Sequence, residues 1–166
     1  MNKKRILVAG GGGFIGGQLA KILIERGHDV VVSDIKPLDQ WYQLHEQAEN
    51  HEADMGLRDQ CFKLTEGCDE VYCLACNMGG MGFIENNKSL CMLSVLINTH
   101  MLEAAKHFNV GKYFYSSSAC IYPDYKQTDA EVIALKEKDA YPAMPENGYG
   151  WEKLFSERLC KNFEED

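Results

Sequence analysis

No apolar run in this sequence approaches the roughly 20 residues that a helix needs to cross a bilayer. The basic opening Met1–Arg5 leads only into Ile6–Ala9 before four consecutive glycines, too short a stretch for the apolar region of a secretion leader. A membrane-spanning or exported protein is therefore not expected, and a cytoplasmic one is. Positive charge is also scarce. Against 25 Asp and Glu stand 17 Lys and Arg, a formal net charge of −8. Such a surface repels nucleic acid and anionic membrane, so neither is an expected partner. A phosphorylated small molecule is not excluded, because backbone dipoles bind phosphate locally. Proline is sparse, and no repeat, low-complexity tract or linker divides the chain. Cysteine is not lacking, but an odd total of 7 with no leader argues against a disulfide framework. What remains is an ordinary globular composition, 45% apolar and 25% charged over 166 residues, enough for one domain with a sizeable core.

Apolar runs alternate with helical patterns, which implies an α/β fold built on a parallel sheet. Strands are expected at Arg5–Ala9, at Asp29–Ser33, near Asp54, at Glu70–Ala75 and at Lys112–Ser116. Helices are expected at Phe14–Arg26 with Gly27 as C-cap, at Leu57–Thr65, at Ser89–Phe108 and at Gly148–Phe163. Lys36–Asn50 reads as loop or short helix and Asn77–Phe83 as loop. A long loop interrupted by Pro123, Pro142 and Pro145 precedes the last helix.

Gly10, Gly13 and Gly16 follow a strand and open a helix in G-x-x-G-x-x-G spacing. The first permits a sharp turn, the second a close approach of backbone to a pyrophosphate, and the third close packing of helix on sheet. The helix start at Phe14, Ile15 and Gly16 then offers N–H groups and a positive dipole end. The alternative is a glycine-rich turn without a ligand. Asp34 closes the second strand about 18 residues beyond Gly16, where an acid accepts hydrogen bonds from ribose hydroxyls and repels a 2′-phosphate. NAD is thus the expected cofactor rather than NADP, unless Asp34 is a solvated turn acid.

Tyr149 and Lys153 stand four apart at a helix start, on one side of it. An ammonium beside a phenol stabilises the phenolate, which can exchange a proton with a sugar hydroxyl. By itself the spacing also fits a plain surface pair. Ser116-Ser117-Ser118 at the C-terminal end of an expected buried strand adds a hydroxyl where ligands sit in such sheets. Cys120 reads either as a small buried hydrophobe or as an acid/base group. Cys73-Leu74-Ala75-Cys76 has C-x-x-C spacing but lies on an expected strand, where residues three apart point to opposite faces. His28, His45, His51, His100 and His107 show no ligand spacing, and no metal is expected. Cys61, Cys68, Cys91 and Cys160 read as filler.

With Gly10–Gly16, Asp34, Asp54-Met55, Leu74-Ala75, Ser117-Ser118-Ala119 and Tyr149-x-x-x-Lys153 in place, the chain resembles the extended short-chain dehydrogenase/reductases, specifically the NAD-dependent nucleotide-sugar epimerases and dehydratases. Met78-Gly79-Gly80-Met81-Gly82-Phe83-Ile84 and Ser117-Ser118-Ala119-Cys120-Ile121-Tyr122-Pro123 make it most similar to the GDP-mannose 3,5-epimerase branch. Asn77 and Gly16-Gly17-Gln18 depart from that branch's pattern. The resemblance implies a Rossmann-type doubly wound parallel sheet over residues 1–166, lacking the last strands and the C-terminal substrate domain, in a chain roughly half the family's length. It implies adenine contacts at Asp54 and Met55, and cofactor contacts at Leu74, Ala75, Tyr149 and Lys153. It implies a catalytic set of Ser118, Tyr149 and Lys153, and Cys120 as one of two acid/base groups, the second being a lysine further on. Gly80 and Met81, in the Met78–Ile84 loop, would meet the nicotinamide and sugar beside Ser118 and Cys120. The implied reaction is transient oxidation at C4 and proton exchange at C3 and C5 of a GDP-mannose-type nucleotide-sugar, in an enzyme that is a homodimer at full length. Other nucleotide-sugar epimerases, 4,6-dehydratases, or an NAD-binding module without catalysis are the alternatives. These residues alone are expected to be inactive.

Overall fold

The computed structural model describes residues 2–127 and 134–166; the 128–133 part of the proline-interrupted loop lies outside the described residues. Contacts divide the chain into two compact units, one of Met1–Cys76 with Leu96–Ser116, the other of Asn77–Val95 with Ser117–Asp166. Among the described residues there are five strands: β1 Arg5–Ala9, β2 Asp29–Asp34, β3 Glu49–Glu52, β4 Glu70–Cys73 and β5 Lys112–Tyr115. The helices are α1 Phe14–Glu25, α2 Arg58–Thr65, α3 Met81–Asn86, α4 Lys88–Met92, α5 Val95–His107 and α6 Tyr149–Glu165, joined by several 3₁₀ turns.

The first unit holds the sheet, ordered β3-β2-β1-β4-β5 and parallel at every pairing. Alternation along the strands feeds two cores. Leu7, Ala9 and Val31 face one, with Cys61, Leu64, Met101 and Ala104 from the helices. Ile6, Val8, Val30 and Val32 face the other, with Ala20, Leu23 and Trp41. That is a doubly wound sheet of Rossmann type. Because β1 is flanked by β2 and β4, the strand order reverses at β1, and the carboxyl ends of β1 and β4 frame the crevice where such sheets bind ligands. Helix α1 stops at Arg26, with Gly27 beyond it at φ +83°. The His28 N–H donates to the Leu23 carbonyl (3.2 Å) and the Gly27 N–H to Ile24 (2.8 Å), which satisfies the last turn.

The structure corrects four expectations. Ser89–Phe108 is not one helix. It breaks at Leu93-Ser94, where the Ser94 hydroxyl accepts the Asn77 N–H (2.8 Å) and the Ser94 N–H turns back to the Cys91 carbonyl (3.1 Å). Asn77–Phe83 is not all loop, because α3 starts at Met81 with buried Ile84 as its apolar anchor. The fifth strand is not buried. It lies at the sheet edge among the described residues, with Phe114 43% exposed, and it ends at Tyr115. The fourth strand stops at Cys73, so Cys76 is no longer on it. Burial pushes the Cys61 thiol up to about 12 and the Cys68 thiol up to about 11, which leaves both un-ionised near neutrality.

In the second unit α6 packs on α4 and on the 3₁₀ turn Ala119–Ile121. Its small apolar core is Ile121, Ala140 and Leu154, with Tyr122 against it.

Candidate active site

The turn after β1 is built for a backbone approach. Gly10 has φ +83°, and a methyl group there would lie 2.8 Å from the Ala75 nitrogen and the Leu74 carbonyl carbon. Glycine is therefore required twice over, by conformation and by space. The Gly10 and Gly11 N–H groups both donate to the Ser33 carbonyl, at 2.8 and 3.0 Å, which ties the turn to β2. At Gly16 a methyl group would fall 2.3 Å from the Gly10 oxygen, so α1 starts pressed against the turn itself. Gly13 differs from both. Its φ of −83° and ψ of 172° suit any residue, and a methyl group would meet only the Gly10 oxygen, at 3.3 Å. The packing at Gly13 therefore makes a weaker demand for glycine than at Gly10 or Gly16, a single backbone oxygen having to give by a few tenths of an ångström. The N-terminus of α1 has no side-chain cap and no acid in its first turn, and Phe14 and Ile15 are exposed there. Those first-turn N–H groups are positioned for an anion.

Asp34 ends β2 and is 8% exposed, so it is no solvated turn acid. One of its oxygens accepts the Lys36 N–H at 3.1 Å. Asp54 folds its carboxylate back on the Gly56 N–H (2.8 Å). The Met55 side chain belongs to the core, so a ligand here would meet its backbone. Leu74 and Ala75 follow β4, half-buried. These residues fit the adenosine and pyrophosphate ends of a dinucleotide.

The second unit holds the other set. Tyr149 and Lys153 are 4% and 1% exposed, which removes the surface-pair alternative. Lys153 Nζ sits 5.4 Å from the Tyr149 ring centroid and 3.9 Å from the buried Glu152 carboxylate. A buried ammonium beside a phenol favours the phenolate. The Ser118 hydroxyl accepts the Cys120 N–H at 3.2 Å and so caps the 3₁₀ turn that carries Cys120, itself half-buried. A cleft of about 440 Å³ opens beside Ser117, Ser118 and Tyr122; Cys120 and Tyr149 do not line it. Gly80 precedes α3 with nothing within 4 Å of an added methyl, and Met81 is 57% exposed.

A family model for the NAD dependent epimerase/dehydratase family matches residues 6–166. The chain belongs to that family. It is 46% identical over 165 residues to GDP-mannose 3,5-epimerase 1 of Oryza sativa subsp. japonica and 43% identical over 163 residues to GDP-mannose 3,5-epimerase of Arabidopsis thaliana. These alignments take in 99% and 98% of the chain but 43% of either relative, so the chain spans less than half the length of the curated relatives it matches. Among solved structures, UDP-glucose 4-epimerase of Thermotoga maritima superimposes with a TM-score of 0.83 at 21% identity, over 98% of this chain and 52% of that one. At that identity the likeness is one of fold.

Within this epimerase/dehydratase framework, sequence reasoning missed three residues. Gly12 lies against β2: a methyl there would fall 2.8 Å from both the Asp34 Cβ and the Trp41 ring. Only the folded positions of Trp41 and Asp34 disclose that. Gly150 would bring a methyl 2.3 Å from the Cys120 oxygen, and Glu146 accepts the Gly150 N–H at 2.9 Å. A glycine inside the first turn of a helix, where alanine is the better helix former, was the available signal for Gly150. Among the described residues no cluster of three or more His, Cys, Asp or Glu could hold a metal, and no helix is long and apolar enough to cross a membrane.

Proposed function

We propose that residues 1–166 form the NAD-binding Rossmann domain of a nucleotide-sugar epimerase acting on a GDP-mannose-type substrate. The observation that carries the reading is the second unit's arrangement: a half-buried Cys120, capped by Ser118, seated on the first turn of the helix that carries Tyr149 and buried Lys153.

Each residue's task follows from its chemistry. Gly13 and the N–H groups at Phe14, Ile15 and Gly16 receive the pyrophosphate. Asp34 accepts from the adenosine ribose. Asp54, the Met55 backbone, Leu74 and Ala75 border the adenosine and the crevice. Tyr149, held toward its phenolate by Lys153, removes the proton of the sugar C4 hydroxyl, and Ser118 orients that oxygen. Held by these residues, NAD would supply a reversible hydride acceptor for C4. The resulting 4-ketone acidifies the hydrogens on C3 and C5. Cys120 removes or returns the proton on one face of these carbons, and a second acid/base group serves the opposite face. Gly80 and Met81 lie on the segment assigned to the sugar. The full-length protein acts as a homodimer in the cytoplasm.

The test is hydrogen exchange. In the intact protein with NAD and GDP-mannose in deuterated water, Cys120→Ser is expected to keep NAD affinity while C3 and C5 deuterium incorporation falls by about 10²–10⁴-fold, the usual worth of a general acid/base group. Exchange at the parent rate would make Cys120 mere packing. Cofactor choice gives a separate check. Calorimetric titration should find NAD at least about tenfold tighter than NADP, because Asp34 faces the 2′ position, and Asp34→Ala should narrow that gap. Equal binding of the two by the parent would overturn the NAD assignment.

A further inference from the structure

Gly150 has no conformational reason to be glycine. It lies inside α6, and the left-handed glycine of this region is its neighbour Gly148, at φ +142°. Alanine is the better helix residue at such a place. The reason for glycine is space. A methyl group at Gly150 would stand 2.3 Å from the Cys120 carbonyl oxygen, 3.1 Å from its carbon and 3.0 Å from the Glu146 Cβ.

The surrounding hydrogen bonds form a chain from Ser118 through Cys120 and Glu146 to Gly150. The Cys120 carbonyl accepts the Glu146 N–H at 3.0 Å. The Glu146 carboxylate accepts the Gly150 N–H at 2.9 Å, which caps α6 in place of Gly148, a residue with no side chain to do so. The Cys120 N–H is held by the Ser118 hydroxyl at 3.2 Å. Both backbone polar groups of Cys120 are thus fixed, one to Ser118 and the other, through Glu146, to the turn that begins at Tyr149.

We propose that Gly150, with Glu146, is a positioning residue that sets Cys120 relative to Tyr149, so that proton exchange at the sugar carbons depends on it while oxidation at C4 does not. The inference rests on the role given to Cys120 under the proposed function. A side chain at Gly150 forces the Cys120 peptide away by about 1 Å, a displacement that can cost on the order of 100-fold when a reacting group is moved. Tyr149 and Lys153 stay on their own helix, which alanine stabilises.

The experiment uses the intact protein with NAD and compares Gly150→Ala, Glu146→Ala, Glu146→Gln and Cys120→Ser. For Gly150→Ala, deuterium exchange into GDP-mannose should fall by about 100-fold, while the burst of reduced-cofactor absorbance stays within about twofold of the parent. Site-resolved alkylation of Cys120 by iodoacetamide should change by about threefold or more. Glu146→Ala, which adds no bulk, should show the same split, and Glu146→Gln, which keeps the acceptor oxygen, should restore it. An unchanged ratio of exchange to oxidation together with unchanged Cys120 alkylation overturns the proposal, as does a parallel fall of both steps. Full exchange in Cys120→Ser would refute the role given to Cys120, and the alkylation rates would still decide whether Gly150 positions that residue.

Discussion

Tyr149→Phe is expected to stop the reaction before any carbon is oxidised. Removing one oxygen atom deletes the group proposed to take the C4 hydroxyl proton, and a phenyl ring of the same shape keeps the packing of a side chain that is 4% exposed. Lys153 stays buried beside the ring, 5.4 Å from its centroid, so the helix and the charge are retained and only the proton acceptor is lost. The burst of reduced-cofactor absorbance on adding GDP-mannose should fall by about 10²–10⁴-fold. Because acidification of C3 and C5 follows from the 4-ketone, deuterium exchange should fall with it. This separates Tyr149 from Cys120, whose loss should spare oxidation and stop exchange. A Tyr149→Phe protein that still exchanged deuterium would mean that another group starts the chemistry. Lys153→Met should lower the same burst, since the buried side chain beside the Tyr149 ring would no longer carry a charge.

The second large effect separates two glycines that look alike in the sequence. Gly13→Val should fold and lose NAD. Its φ and ψ are extended values that a β-branched residue adopts, and the nearest protein atom to the new Cβ is a single carbonyl oxygen at 3.3 Å. The isopropyl group then occupies the space left for the pyrophosphate. Losing one or two charge-assisted hydrogen bonds there corresponds to on the order of 100-fold in affinity. Gly16→Val should instead lose the fold. Its Cβ would sit 2.3 Å from the Gly10 oxygen and 2.7 Å from the Gly11 Cα, both backbone atoms of a turn pinned to β2. Overpacking costs about 1–3 kcal/mol in a yielding core and more where the opposing atoms are backbone that cannot move aside. Thermal unfolding without NAD, paired with calorimetric titration, checks both. A Gly13→Val protein that binds NAD at parental affinity would remove the pyrophosphate from this turn.

Much of this molecule was written in local pattern. Arg5–Ala9 is an apolar run of strand length closed by glycine, and β1 has those bounds. The G-x-x-G-x-x-G spacing, Asp34 at a strand end and the Tyr149/Lys153 spacing marked the glycine turn and the candidate pair, because each depends on neighbours only a few residues away. Ser89–Phe108 misled for a related reason. Its periodicity is continuous, but the bond from the Asn77 N–H to the Ser94 hydroxyl comes from 17 positions earlier and interrupts the helix.

The sequence by itself determined the α/β class, the glycine turn after the first strand and the spacing of Tyr149 and Lys153, since these follow from periodicity, glycine placement and local helix geometry. The tertiary structure alone decided which glycines serve the fold and which leave room for a ligand, because only packed coordinates show what a missing methyl would touch. It also decided that Tyr149 and Lys153 are buried and that the Cys120 carbonyl rests on the turn at Gly150. Burial and close approach are made by residues about thirty positions apart, and no local pattern encodes the distance between them.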